Sequence, residues 1–180
     1  MNSEEVSNVH AEGSGADRRE RLVVVGVDGS ESSSAALRWA ADEARLRGAT
    51  LKVVEAWHIP SVGYGAYVAI PEGFEDWAKE AAASLEEQLA EVLGDEPGVT
   101  VVREVVEGPA AKVILDAAEG AELLVVGSRG RGGFSGLLLG SVSAHVAHHA
   151  PCPVTIVRTK ARAKPSAQPA SGDDRGHSLE

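Results

Sequence analysis

Short apolar runs alternate along the chain with longer segments in which apolar residues recur at helical spacing. The run at 22–27 is continuous in branched apolar residues, as expected of a strand that is buried on both faces. Further strands are predicted at 51–56, 99–106, 123–126 and 153–157, and helices are predicted to begin near residues 30, 72, 109 and 141. This strict alternation predicts a doubly wound α/β fold, with a single five-stranded parallel sheet and helices on both of its faces.

The residues at the ends of the predicted helices agree with these predicted boundaries. Ser30 is a preferred N-cap residue for the first helix, because its side-chain oxygen can accept a hydrogen bond from the first turn. Gly48 and Gly94 are suited to ending the first and second helices, since glycine readily adopts the left-handed conformation common at that point. Pro109 is suited to the start of the third helix, where its missing N–H costs nothing.

Two terminal segments and one internal segment lack these patterns. Residues 1–20 and 159–180 are polar and bear glycine, serine or proline. We therefore expect a disordered arm and a disordered tail on either side of one domain at 21–158. Residues 57–71 are predicted to form a long irregular loop after the second strand, a type of segment that often serves a binding site.

The composition limits the partners that the chain is expected to bind. The 180 residues carry a formal net charge of -10, and an acidic surface repels nucleic acid and anionic membranes. No apolar stretch approaches the roughly 20 residues of a membrane span, and no signal peptide is recognisable at the start. The one cysteine, Cys152, cannot form an internal disulfide, which fits a reducing compartment. We expect a cytoplasmic protein that binds neither nucleic acid nor membrane.

Candidate chemistry is concentrated at 127–141, directly after the fourth predicted strand. This segment holds six glycines, which permit positive φ and close approach of the backbone to a ligand. The helix that begins at Ser141 presents unpaired N–H groups and a dipole that favour an anion. Ser141 and Ser143 add hydroxyl donors, while Arg129 and Arg131 add positive charge. Ligands of open α/β sheets bind beyond the carboxyl ends of the strands, so we expect a phosphate cradle here.

Neither of the two standard phosphate-binding fingerprints matches this loop. A Walker A loop requires Gly-Lys followed by Ser or Thr, and no such step occurs in the chain. A dinucleotide fingerprint requires Gly-x-Gly-x-x-Gly in the first strand–helix turn, which here reads Gly-Val-Asp-Gly at 26–29. The nearest match begins at Gly130 and has Ser135 in place of the third glycine.

The glycine spacing instead resembles the signature of the universal stress protein family, which is Gly, two residues, Gly, nine residues, then Gly and Ser or Thr. Gly127, Gly130, Gly140 and Ser141 match every fixed position. The resemblance extends over 27–157, from a Val-Asp-Gly-Ser turn to the last strand. It implies the strand order 3-2-1-4-5, ATP bound where the strand order reverses, and a homodimer formed through the last strand.

The resemblance also implies roles for individual positions. Asp28 corresponds to the carboxylate that binds the ribose, and Val27 and Ala56 correspond to positions whose backbone faces the adenine. The glycines of 127–130 correspond to those beneath the ribose and phosphates, and the helix start at 140–142 corresponds to phosphate-binding groups. The full set of candidate binding residues is Val27, Asp28, Gly29, Ala56, Val126, Gly127, Ser128, Arg129, Gly130, Gly140, Ser141, Val142 and Ser143. ATP is expected to carry Mg²⁺, although no carboxylate cluster is dedicated to the metal.

The residues near the loop favour binding over catalysis. No Ser/His/Asp set is recognisable, and Asp28 is only a weak candidate for a general base. The favoured function is therefore an ATP-binding regulator of the stress response, non-catalytic or slowly hydrolysing, that acts as a homodimer with an unidentified protein partner. Two alternatives stay open: an interaction module that binds no nucleotide, and an enzyme that hydrolyses or transfers adenine nucleotides. AMP or cyclic AMP stays open as the ligand in place of ATP.

Two further features are interpreted as structural rather than chemical. His145, His148 and His149 share one helix, but no Cys or carboxylate cluster accompanies them, so a surface face with packed imidazoles is favoured over a metal site. Cys152 lies at the entry to the last strand and is expected to be a buried, inert thiol.

Overall fold

The computed structural model describes residues 21–58, 74–132 and 138–159. Strands and helices alternate in chain order as β1 (Leu22–Val27), α1 (Glu31–Arg47), β2 (Thr50–Trp57), α2 (Phe74–Leu93), β3 (Val101–Glu107), α3 (Ala110–Ala117), β4 (Leu123–Gly127), α4 (Ser141–His149) and β5 (Val154–Val157). The predicted arm at 1–20, nearly all of the predicted tail and most of the predicted loop at 57–71 lie outside the described residues.

The strands form one parallel sheet in the order β3-β2-β1-β4-β5. This confirms the predicted fold class and the strand order that the family resemblance implied. Because all strands run the same way, their carboxyl ends share one edge of the sheet, where Val27 of β1 pairs with Glu55 of β2. On the other side of β1, Gly26 pairs with Val126 of β4. The strand order reverses between β1 and β4, and this edge is where an open α/β sheet binds its ligand.

The core consists of two apolar layers, one on each face of the sheet. Val25 and Val53 point toward α1 and α2, where they pack with Leu37 in one buried cluster. Val24 and Ile114 belong to the second cluster, which lies between the sheet, α3 and α4. Alternate residues of β1 and β4 therefore serve opposite layers, which explains why neither strand carries a polar side chain.

The helix ends follow the capping residues that the sequence offers. Ser30 Oγ accepts a hydrogen bond from Ser33 N at 3.2 Å and so caps α1. Gly48 ends the same helix with a φ of 61°, in the left-handed region. Pro109 directly precedes α3, as predicted. In the described ranges, no helix is both long enough and apolar enough to cross a membrane.

Candidate functional site

A crevice of about 390 Å³ opens at the carboxyl ends of β1, β2 and β4, a volume in the range of small-molecule binding sites. Its walls come from strand ends, the starts of α3 and α4, and the glycine-rich segment after β4. The lining residues are Gly26, Val27, Asp28, Ser33, Glu55, Ala56, Ala110, Ile114, Val126, Gly127, Arg129, Gly130, Arg131, Gly132, Gly140, Ser141, Val142 and Ser143.

One end of the crevice is the amino-terminal end of α4. Gly140 is the N-cap residue of this helix and has no side chain to occupy the first N–H groups, which are left for a ligand. The loop is fastened behind this point because Gly140 N donates to Ser128 O at 2.8 Å. Ser143 Oγ donates to the same carbonyl at 2.9 Å and lies 3.1 Å from Gly140 O. The Ser143 hydroxyl, predicted as a donor to phosphate, is thus engaged by the protein backbone.

The glycines at 127 and 130 are required by close contacts rather than by unusual backbone angles. A Cβ on Gly127 would lie 2.7 Å from Ser32 Oγ and 2.8 Å from the Ser32 carbonyl. A Cβ on Gly130 would collide with Asp28 Oδ2. Among the glycines of this loop that the structure describes, none has a φ in the left-handed region. The predicted close approach is therefore present, whereas positive φ is not what these positions need.

Asp28 lies directly beneath the glycine loop, at the end of β1. Its Oδ1 accepts from Ser30 N at 3.1 Å, and its Oδ2 accepts from Arg131 N at 3.0 Å. Burial opposes ionisation of this carboxyl, but the hydrogen bonds from Ser30, Arg131 and Ser33 outweigh it and hold the Asp28 pKa below its usual value of 3.8. The group is therefore an ionised, firmly held acceptor across the physiological pH range.

Gln88 of α2 ties the Asp28 turn to the second helix. Its Oε1 accepts from Gly29 N at 3.2 Å, and its Nε2 lies 2.9 Å from both Ser33 Oγ and Ser34 Oγ. The Gln88 side chain is buried, so these bonds satisfy groups that water does not reach. Sequence reasoning missed Gln88, since nothing in the pattern of α2 distinguishes it from the other polar residues of that helix.

Arg131 points away from the α4 end of the crevice, contrary to its predicted place in the phosphate cradle. Its guanidinium lies over Gly29, and Nη2 is 3.4 Å from Ser84 Oγ of α2. The cation therefore stands at the β1–β2 side of the crevice. Arg129 remains as a half-buried lining residue nearer β4, with its N–H directed at Ser32 Oγ at 3.4 Å.

Glu55 is a buried carboxyl group at the β2 end of the crevice. Only 6% of its surface is exposed, and its Oε2 has no hydrogen-bond partner among the residues that the structure describes. Burial raises the Glu55 pKa above its usual 4.5, and the nearby Asp28 adds to this, while the Arg131 charge and the Ser84 hydroxyl act in the opposite direction. Glu55 was not predicted from the sequence, although an acidic residue directly after the apolar pair Val53 and Val54 was a usable signal.

The structure brings almost all candidate residues to one place. Every candidate predicted from the sequence lines the crevice except Gly29 and Ser128. Gly29 instead holds the turn through its N–H, and Ser128 is buried behind the loop, where its N–H donates to Val157 O at 2.8 Å. The lining residues outside the predicted set are Gly26, Ser33, Glu55, Ala110, Ile114, Arg131 and Gly132.

The histidines and the cysteine lie outside this crevice. His145, His148 and His149 are exposed, and the rings of His145 and His149 stack with their centroids 4.2 Å apart. The described part of the chain contains no group of three or more His, Cys, Asp or Glu side chains that could hold a metal ion. Cys152 is half-buried rather than fully buried, and burial raises the pKa of its thiol, which disfavours the reactive thiolate.

Comparison with known proteins agrees with the glycine spacing and the strand order. The sequence profile described as the universal stress protein family matches residues 21–158. The chain belongs to the universal stress protein family. A universal stress protein of Mycobacterium tuberculosis is 44% identical over 144 residues, which are 79% of this chain and 47% of that protein. This universal stress protein thus spans about half the length of the curated relatives that it matches.

Solved structures show the same fold. The universal stress protein UspA from Lactobacillus plantarum superposes with a TM-score of 0.65 at 24% identity, over 78% of this chain and 99% of that one. A universal stress protein family protein from Arabidopsis thaliana, solved with AMP bound, gives a TM-score of 0.52 at 26% identity. That superposition covers 81% of this chain and 96% of the plant protein.

Proposed function

We propose that this universal stress protein binds ATP in the crevice at the carboxyl end of its sheet and acts as a cytoplasmic regulator of the stress response. The main observation behind the proposal is that the glycine loop packs directly against Asp28, next to the start of α4, which has no side-chain cap. This arrangement offers backbone N–H groups to phosphates at one end and a fixed carboxylate to hydroxyl groups beside them. The AMP-bound plant relative supports an adenine nucleotide as the ligand.

The position of each charged group suggests the direction in which the nucleotide lies. The phosphates belong at the α4 start, because Gly140 and Ser141 leave the first N–H groups of the helix for an anion. Asp28 is placed to accept hydrogen bonds from the ribose hydroxyls, and the base then lies toward Val27 and Ala56. Mg²⁺ would enter on the phosphates, whose oxygens are the hard ligands that it prefers.

The state of Asp28 favours binding over hydrolysis. A general base must take up a proton, but hydrogen bonds from Ser30 N and Arg131 N stabilise the ionised form of Asp28 and lower its pKa. We therefore propose that the nucleotide is a regulatory ligand, turned over slowly if at all. A turnover comparable to that of kinases, about 1–100 per second, would contradict this proposal.

We further propose a homodimer formed through β5. This strand is at the edge of the sheet, so the backbone groups on its outer side are directed away from β4. All four of its residues, 154–157, are only half-buried in the single chain. Pairing with a second copy would cover them, and light scattering at micromolar concentration would show a mass of two chains.

The proposed ligand can be identified directly. The purified protein is denatured, and any released nucleotide is identified by chromatography and mass spectrometry; we expect ATP close to one per chain. Gly130→Val, which drives a side chain into Asp28, is expected to abolish that recovery. A wild-type protein that releases no nucleotide and gives no heat with added Mg·ATP in calorimetry would instead support the interaction-module alternative.

A further inference from the structure

Three exposed histidines lie toward the carboxyl-terminal end of α4, outside the nucleotide crevice. The rings of His145 and His149 stack with their centroids 4.2 Å apart and their planes inclined by 19°. The ring of His148 meets that of His149 edge-on, with the centroids 6.3 Å apart. His145 and His149 are therefore a close pair, one helical turn apart, and His148 stands beside them.

A contact with the backbone fixes the tautomer of one ring of this pair. His149 Nδ1 lies 2.9 Å from His145 O, and a carbonyl oxygen can only accept, so the ring nitrogen is the donor. The neutral His149 ring therefore carries its lone pair on Nε2, the nitrogen that does not bond to the backbone. Histidine ligands of metal ions usually donate their second ring N–H to a carbonyl or carboxylate group in this way. His149 is thus oriented as a metal ligand would be.

His145 is placed to supply a second nitrogen to the same ion. Residues four apart lie on one face of a helix, and two histidines at this spacing hold zinc in the His-Glu-x-x-His motif. Zn–N bonds of about 2.0–2.1 Å at a tetrahedral ion put two ligand nitrogens about 3.3 Å apart. The stacked rings are 4.2 Å apart between centroids, so a small rotation of the exposed His145 side chain closes the difference.

The electrostatic surroundings of the pair favour a cation. His149 is the last residue of α4, and the carboxyl-terminal end of a helix carries a partial negative charge. The chain as a whole has a net charge of -10. Imidazole nitrogen is suited to zinc, nickel and copper, whereas magnesium prefers oxygen ligands. Among the described residues the pair belongs to no metal-binding group of three, so water completes the coordination of the ion.

We propose that His145 and His149 form a two-histidine site for a divalent transition-metal ion of the class of Zn²⁺. The ion links two residues one turn apart at the end of α4, the helix whose start lies at the crevice. Because both ligands are in place only when this turn is helical, the ion stabilises the folded chain. The site lies outside the crevice and does not depend on which ligand the crevice binds.

Zinc binding is measured by calorimetry with ZnCl₂ on the full chain. We expect one Zn²⁺ site that His145→Ala or His149→Ala weakens by at least about tenfold, because chelation by the second imidazole is lost. His148→Ala is the matched control, since it removes an adjacent exposed histidine of the same helix. Its zinc affinity is expected to stay within about twofold of wild type, because neighbouring residues do not share a helix face.

Two further measurements complete the test. Urea denaturation without metal should give the same midpoint for all three variants, because the substituted side chains are exposed, and added ZnCl₂ should raise the midpoint of wild type and His148→Ala more than that of His145→Ala. Calorimetry with MgCl₂ should show no effect of the substitutions. A wild-type chain that binds no zinc, or a zinc affinity that all three substitutions leave unchanged or lower equally, would overturn the site.

Discussion

At the β4–α4 end of the crevice the surface is made of glycines, backbone N–H groups and the start of a helix, whereas at the β1–β2 end it is made of charged side chains. The first end is contiguous in the chain, since its residues lie within 127–143. The second end joins Asp28, which directly follows β1, Glu55 of β2, and Arg131 of the glycine loop, and α2 supports it.

The two ends differ in how they are held in place. The glycine end depends on shape, because at Gly127 and Gly130 the backbone passes so close to Ser32 and Asp28 that no side chain fits. The charged end depends on hydrogen bonding, which is present on both oxygens of Asp28, whereas Glu55 Oε2 has no partner within the part of the chain that the structure describes. A side chain added at the glycine end is therefore expected to lower the stability of the whole protein. A substitution at the charged end is expected to alter ligand affinity, ligand specificity and the pH dependence of stability.

The largest expected effect comes from breaking the glycine end. Gly127→Ala places a Cβ 2.7–2.8 Å from Ser32, including its backbone carbonyl, so β4 and the start of α1 must separate. We expect a loss of about 2–3 kcal/mol in the free energy of unfolding, measured by urea denaturation, with loss of nucleotide binding. Gly132→Ala is the matched control for stability, because a Cβ there meets no atom within 4 Å. Equal stability of the two variants would contradict the close-approach explanation.

The next effect comes from removing the support of the charged end. Gln88→Met fills the same space but leaves Gly29 N and the Ser33 hydroxyl without their partner. We expect a loss of about 1–3 kcal/mol in the free energy of unfolding and weaker ATP binding, because the Asp28 turn is no longer held. Glu87→Met, on the exposed face of α2, serves as the control. A Gln88 variant as stable as this control would show that the buried amide does not hold the turn.

A smaller effect is expected in the pH dependence of stability, which should differ between Glu55 and Asp28. The raised pKa of Glu55 contributes stability that is full below its ordinary 4.5 and is lost as the pH rises through the folded-state value. Glu55→Gln removes this loss, so the variant should gain stability relative to wild type above pH 4.5 and then level off. Urea midpoints measured in steps from pH 4 to 8 test this, and a constant difference over the range would contradict it.

Asp28 should give the opposite sign. Its lowered pKa contributes stability that is present above the ordinary value of 3.8 and is lost as the pH falls through the folded-state value. The same urea measurements, extended down to pH 2, should therefore show for Asp28→Asn a deficit at neutral pH that shrinks as the pH falls below 3.8. If the stability of the two variants changed with pH in the same direction, the opposite pKa shifts of Asp28 and Glu55 would be contradicted.

The smallest effect is expected at the helix start. Ser141 is exposed, and the backbone N–H groups of α4 do not depend on its side chain. Ser141→Ala should weaken ATP binding by between about twofold and tenfold, the value of one hydrogen bond, with no change in stability. A much larger loss in calorimetry would show that the hydroxyl, rather than the helix backbone, carries phosphate binding.

Local sequence patterns determined much of this protein. Continuous apolar strands and apolar residues at helical spacing predicted the α/β fold, and the capping residues Ser30 and Gly48 lie at the ends of α1 as expected. The spacing of Gly127, Gly130 and Gly140 located one end of the crevice within a single segment of chain. These features depend on backbone geometry and on neighbours a few residues away, which a sequence displays directly.

Only the tertiary structure decided the charged end. Gln88 bonds to Gly29 across 59 residues, and Arg131 bonds to Asp28 across 103. The direction of the Arg131 side chain follows from its contact with Ser84 of α2. Hydrogen-bond satisfaction of a buried group depends on every element that surrounds it, and periodicity along one element carries no record of those distant neighbours.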